Sequence, residues 1–164
     1  MPGAKQAAVL VPLFLAPGGG LHAVFTERRA DLSRHAGEIS FPGGRRDDGD
    51  ADLPSTALRE CHEEIGLPPH AVELVGALQP TPTFVTSYAI YPFVGLIEPG
   101  FAWVLQEREV AEVLELPLEA VRAGYARRRL VRRGMPFRTD TYEAGGHLIW
   151  GATARIVADL LDRL

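Results

Sequence analysis

The sequence predicts a domain that mixes strands and helices, α/β or α+β, in which a mixed sheet is packed between helices. Three observations carry this. Apolar, β-prone runs lie both before and after one central helical segment, an amphipathic helix closes the chain, and no fixed-period repeat or linker divides it. At 164 residues the chain has the size of one compact domain, expected to span 1–164. A chain of that length buries about two thirds of the surface of its unfolded form.

Composition narrows the classes. The apolar share of 46% and the charged share of 23% are ordinary for a globular protein and point to neither disorder nor a fibrous class. The longest apolar run, 7–16, is too short for a membrane span and contains Pro12, and no signal-like architecture precedes it. Cys61 stands alone, so no internal disulfide can form, which fits a reducing cytoplasm; packed on a helix, it reads as a small apolar residue. A net charge of −4 argues against a general nucleic-acid binder, yet leaves an anionic small substrate open, because local arginines set the potential of a cleft.

Residues 6–15 and 21–27 are apolar runs flanking Pro17-Gly18-Gly19-Gly20 and read as a hairpin with a glycine-rich turn. Residues 28–50 have little periodicity and many charges, and a structureless stretch of that length in a small domain tends to be functional. Within it, Gly43-Gly44 can bring the backbone close to a ligand. Residues 55–65 read as a helix: Ala57, Leu58, Cys61 and Ile65 recur at helical spacing, Asp52 or Ser55 can cap it, Pro54 suits its first turn, and Gly66 supplies a left-handed stop. Strands are expected at 71–78, 88–97 and 101–105, an acidic mixed stretch at 107–115, and a short helix at 116–123. Alternation in 125–138 places much of that arginine-rich segment on the solvent face of a strand, with Arg127, Arg128, Arg132 or Arg133 as candidates to reach a nucleotide phosphate. Residues 147–150 read as the last strand and 151–164 as a helix with Ile156, Val157, Leu160 and Leu161 inward.

The central helix carries the chemistry. At about 100° per residue, Glu60, Glu63 and Glu64 project together, away from the apolar face. Like charges so placed cost a few tenths of a kcal/mol per pair, roughly. Arg59 can offset part of that by pairing with Glu63, and a hard divalent cation on carboxylate oxygens would offset more. A solvated acidic face is the alternative reading of the same residues. The five histidines show no metal-ligand spacing.

Gly44, Arg59-Glu60, Cys61, Glu63-Glu64 and Gly66-Leu67 together resemble the Nudix box. Its second half matches at every position, whereas the first half departs: counted back from Arg59, the box glycine falls on Arg45 and the box glutamate on Ala51, with Asp50 beside it. Phe41-Pro42-Gly43-Gly44, Asp47, Asp50 and Ala57-Leu58-Arg59-Glu60 are similar to the coenzyme A pyrophosphatase branch. So are the upstream Val24-Phe25-Thr26-Glu27-Arg28 and 37–41, and the later stretches 87–95, 109–118 and 149–154. In the upstream motif Arg29 replaces a small residue and Ser33 an arginine, with Arg34 one place later.

The resemblance implies a Nudix α/β/α sandwich and divalent-metal hydrolysis of a pyrophosphate bond. Glu60, Glu63 and Glu64 would hold Mg²⁺ or Mn²⁺. A carboxylate among Glu63, Glu64 and Glu109 would take the proton from the attacking water, Glu112 is a further candidate, and Arg59 would orient the cluster. Arg28, Arg34, Gly37, Phe41, Gly43 and Gly44 would contact the substrate, expected to be coenzyme A or a derivative. Other nucleoside diphosphates such as ADP-ribose or NADH, and a nucleotide-binding module without turnover, remain as alternatives.

Overall fold

A computed structural model describes residues 3–32, 37–83 and 87–164. The chain forms β1 (Lys5–Leu15), β2 (Leu21–Arg28), β3 (Ile39–Ser40), β4 (Gly43–Arg45), α1 (Leu53–Ile65), β5 (Glu73–Ala77), β6 (Thr81–Pro82) and β7 (Tyr88–Leu96). It continues through β8 (Val110–Pro117), α2 (Leu118–Ala123), β9 (Tyr125–Arg132), β10 (Met135–Ala144), β11 (His147–Ile149) and α3 (Gly151–Asp162). The large sheet runs β3-β2-β1-β7-β5, with β4 on β1, β6 on β7 and β8 on β2. Among the described residues, only the β1–β7 pair is parallel, from Lys5↔Tyr88 to Leu13↔Leu96. A second sheet is the antiparallel β11-β10-β9.

β1 is apolar nearly throughout because both its faces are covered. Ala8, Leu10 and Phe14 pack with Ala57, Cys61 and Ile65 of α1, while Val11 and Leu13 pack on the opposite side with Ile149 and with Val157 and Leu160 of α3. Period-two alternation thus splits one strand between two cores, giving a mixed sheet between α1 on one side and α2, α3 and the small sheet on the other. Pro12 is tolerated in this central strand. β1 pairs β4 through residues 7–9 and β2 through 13–15, and Leu10 N–H reaches Pro42 O at 2.8 Å, so the missing N–H of Pro12 falls in the gap between two partners.

α1 begins and ends where its sequence directs. Asp52 Oδ1 accepts the Ser55 N–H at 2.9 Å and so satisfies one of the free donors of the first turn. Gly66, at φ 78°, stops the helix with its N–H on His62 O.

Three expectations are corrected. Residues 101–105 form no strand; Val104 and Gln106 instead give their N–H groups to Ile65 O and Glu64 O at 3.0 and 2.8 Å. Those carbonyls end α1 without a partner inside the helix, so the segment is held there rather than in a sheet. Conversely, the acidic stretch before α2 contains the strand β8, registered on β2 from His22↔Pro117 to Arg28↔Val110. Val110, Leu114 and Leu116 face the core, and the intervening glutamates had masked that pattern. Residues 125–138 are a hairpin rather than one strand, turning at Arg133 (φ 51°) and Gly134 (φ 75°). Two consecutive positive φ values suit the tight turn that joins twisted strands. No helix among the described residues is long and apolar enough to cross a membrane.

Candidate active site

Arg59 ties the start of α1 to its acidic face. Its Nε and Nη2 meet Asp50 Oδ1 and Oδ2 at 2.8 and 3.0 Å, and its Nη1 reaches Glu60 Oε1 at 3.1 Å and Glu63 Oε1 at 3.3 Å. The pairing expected with Glu63 is present, but the shorter, two-pronged contact goes to Asp50. The Asp50 side chain is 6% exposed and also accepts from Asp47 N–H at 2.9 Å and Thr56 Oγ1 at 2.8 Å. The Arg59 hydrogen bond, reinforced by those from Asp47 and Thr56, holds this carboxyl far below the usual carboxylate range. The acidic residue of the departing first half of the motif therefore anchors the guanidinium.

The two glycines before the helix serve close approach to the chain's own atoms. A Cβ on Gly43 would overlap Ala8 O of β1, and one on Gly44 would stand 2.6 Å from Glu60 Oε2. Gly43 N–H donates to Glu64 Oε2 at 2.9 Å. Burial pushes the Glu64 carboxyl up to about 8, opposed by the Gly43 hydrogen bond and reinforced by the nearby charges of Glu60 and Glu109. Burial also raises Glu60, although Arg59 works against it. A helix face that holds two carboxylates, Glu60 and Glu64, partly out of water has an unmet demand for positive charge.

The donor set suits a hard divalent cation, since Glu60, Glu63 and Glu64 offer only carboxylate oxygens as ligands. Among the described residues, no three His, Cys, Asp or Glu side chains come close enough to enclose an ion unaided. Glu60 and Glu63 lean on Arg59, and Glu64 on Gly43. A magnesium-type site built from one or two carboxylates and completed by substrate phosphate and water is compatible with that arrangement.

Glu64 opens onto a cleft of about 580 Å³. Arg28, Phe41, Gly43 and Gly44 also line it. The Phe41 ring is 3% exposed and stacks on Phe25 at 4.5 Å, so it is chiefly a core residue under the cleft floor. Gly37, at φ 73°, gives its N–H to Arg28 O at 3.0 Å and sets the turn into β3 instead of lining the cleft. Arg34 and Ser33 lie outside the described residues. Glu109 sits in the exposed turn before β8, and its charge acts on both Glu60 and Glu64. Glu112 lies on β8 opposite Glu27. Arg29 fastens the Glu109 turn: its N–H donates to Glu109 O and its Nη1 to Glu107 O, both at 2.9 Å, while Asp31 fixes its guanidinium.

Of the four nominated hairpin arginines, Arg132 lines the cleft. Arg127 and Arg128 pair with Asp140 and Glu143, both at 3.3 Å. Arg133 occupies the turn. Residues that the sequence did not single out complete the far wall: Phe137 and Arg138 of β10, Trp150 before α3, and Arg155 within it. The usable signal was Ile149-Trp150-Gly151, where a fully buried residue is followed by a large ring at a strand end.

A family model described as the NUDIX domain matches residues 4–134. The uncharacterized Nudix hydrolase NudL of Cronobacter sakazakii is 44% identical over 158 residues, covering 95% of this chain and 81% of that protein. Among solved structures, the Nudix hydrolase RenU of M. smegmatis aligns with TM-score 0.62 at 22% identity, over 73% of this chain and 74% of that one. The NUDIX domain of Shewanella oneidensis NrtR, complexed with ADP-ribose, aligns with TM-score 0.61 at 14% identity, over 99% and 90% of the two chains. The structural likenesses speak to the fold.

Proposed function

The chain belongs to the Nudix hydrolase family, and from that premise we propose that it hydrolyses the pyrophosphate bond of coenzyme A or a derivative, giving 3′,5′-ADP and 4′-phosphopantetheine. One observation carries the reading. A single cleft has Glu64 on one wall and Arg28, Arg45, Arg132, Arg138 and Arg155 around it. Acidic residues beside so many guanidinium groups suit a substrate that brings both a metal-binding diphosphate and further negative charge. The domain is taken to span 1–164, because β9, β10 and α3 supply one wall of that cleft. Its place of action is proposed to be the cytoplasm.

Nudix hydrolases generally need divalent metal ions. Here carboxylates of the set Glu60, Glu63 and Glu64, completed by substrate phosphate and water, would hold Mg²⁺ or Mn²⁺, which would supply neutralisation of the diphosphate and a lowered pKa for water. Arg59, anchored by Asp50, keeps Glu60 and Glu63 in place. Gly43 N–H fixes one oxygen of Glu64. The water oxygen forms a new bond to one phosphorus while the bond from that phosphorus to the bridging oxygen breaks. The bridging oxygen leaves with the other phosphate. The water proton passes to a carboxylate of the set Glu63, Glu64 and Glu109, the kind of transfer worth roughly 10²–10⁴ in rate. Arg28, Gly43 and Gly44 contribute to the substrate wall, and the resemblance extends that role to Arg34, Gly37 and Phe41.

The test is purified protein with Mg²⁺ or Mn²⁺ and a panel of coenzyme A, ADP-ribose, NADH and diadenosine polyphosphates, with products identified. Coenzyme A consumed to the two named products supports the proposal. ADP-ribose consumed with coenzyme A intact supports the alternative suggested by the ADP-ribose complex of the NrtR domain. No turnover with any substrate supports a binding module.

A further inference from the structure

The far wall of the cleft is unlike the wall that carries Glu64. Trp150 stands between β11 and α3, directly after Ile149, which is fully buried. The guanidinium carbon of Arg132 lies 5.4 Å from the centre of the indole ring, and the Phe137 ring is centred 6.2 Å away with its plane tilted by 50°. All three, with Arg138, face the cleft. Ile149 belongs to the core cluster, whereas Trp150 is only partly buried and turned to the opening.

Among the described residues of this hairpin, Arg129 and Arg133 have no ion pair and lie outside the cleft lining, while the other four arginines divide between paired and cleft-lining. Arg127 and Arg128 are matched by Asp140 and Glu143. Among the described residues, Arg132 and Arg138 have no carboxylate within ion-pair distance, and both line the cleft. A planar aromatic platform beside unmatched guanidinium groups is complementary to a flat heteroaromatic ring attached to phosphate. The ring gains stacking and the phosphate gains a forked donor.

We propose that Trp150, with Phe137 at its edge, seats the nucleobase of the substrate, and that Arg132 and Arg138 receive the anionic groups on the adjoining ribose. The cleft then has two ends: acidic residues from α1 for the diphosphate, and the hairpin with the start of α3 for the nucleoside phosphate. This assignment rests on the hydrolase reading above but is testable without turnover.

Trp103 and Trp150 are the two tryptophans of the chain, and Trp103 lies away from the cleft, with its Nε1 on Glu115 at 2.8 Å. Trp103→Phe therefore leaves Trp150 as the sole indole reporter. Its fluorescence is followed in EDTA while 3′,5′-ADP is added, with 4′-phosphopantetheine and inorganic phosphate as probes that lack a base. The expected result is a saturable change with 3′,5′-ADP alone, and a dissociation constant at least tenfold weaker in Trp103→Phe carrying Arg138→Ala. In the full reaction, Trp150→Ala raises KM roughly tenfold with kcat near the parental value, the loss that about 1.4 kcal/mol of stacking produces. Trp150→Phe retains most of that affinity and guards against a folding defect. A silent indole in protein that still cleaves coenzyme A overturns the nucleobase seat and leaves the hydrolase reading standing. An equal response to the probes without a base also overturns it. A response to 3′,5′-ADP in protein that turns over nothing supports the seat and removes the hydrolase reading.

Discussion

Replacing Glu64 with glutamine separates its cost to the fold from its use. In the metal-free protein, burial raises the Glu64 carboxyl from 4.5 to about 8. Because the folded-state value lies above the unfolded one, the native state is favoured by the protonated group below pH 4.5, and that advantage is lost as pH rises through 8. At 1.36 kcal/mol per unit the full penalty of the buried anion would be about 4–5 kcal/mol, and water at the cleft mouth reduces it to about 2 kcal/mol. Glutamine keeps an oxygen for the Gly43 N–H and carries no charge. At pH 9 in EDTA, Glu64→Gln is expected to melt about 4–8 °C above the parent, given roughly 2–4 °C per kcal/mol for a chain of this size. At pH 4 the two should coincide. The variant should also lose nearly all turnover and show less thermal stabilisation by Mg²⁺ or Mn²⁺ than the parent. Differential scanning calorimetry at the two pH values, with and without metal, reads each arm. Melting below the parent at pH 9, or turnover at the parental rate, would refute the reasoning.

Three further outcomes are expected. Asp50→Asn removes the two-pronged partner of Arg59 and should lower both melting temperature and turnover. Since the Asp50 carboxyl is held far below its ordinary 3.8, its contribution is present above pH 3.8, and the deficit in melting temperature should be as large at pH 5 as at pH 7. Gly44→Ala places a Cβ 2.6 Å from Glu60 Oε2 while Gly43 keeps β4 against β1, so Glu60 is displaced. Turnover should fall at least tenfold with a small change in melting temperature, measured by steady-state kinetics and a thermal melt. Arg29→Ala keeps the backbone N–H bond to Glu109 O but removes the guanidinium contact to Glu107 O, and so loosens the turn that presents Glu109. It should lower kcat with little change in KM, and add nothing to Glu109→Gln in a double-mutant cycle, whereas additive losses would separate the two residues.

How far the sequence spoke depended on how local the physics was. α1 was legible because its cap, apolar stripe and left-handed stop all lie within its own fifteen residues. The same locality revealed the acidic face. β8 was hidden because glutamates on its exposed face broke the apolar pattern, and only its register with β2 makes it a strand. The pairing of Arg59 with Glu63 was legible from helical spacing, but its shorter contact to Asp50 was not, because the loop before the helix folds that residue back beneath it. The far wall of the cleft was missed almost completely. Phe137 and Arg138 come from β10 and Trp150 and Arg155 from the start of α3, and nothing in the spacing between these two segments announces that they meet.

The attachment of residues 103–106 to the end of α1 sets how the acidic groups can move. Gln106 gives its N–H to the carbonyl of Glu64, and its own carbonyl accepts from Glu109 N–H at 3.0 Å. One residue thereby couples the main chains that bear two of the carboxylates, and does so through peptide groups that every amino acid except proline possesses. Their separation is therefore insensitive to the identity of side chain 106 and sensitive to chain length. A single insertion or deletion between 106 and 109 would change the spacing of these charges while every ionisable residue stayed in the sequence.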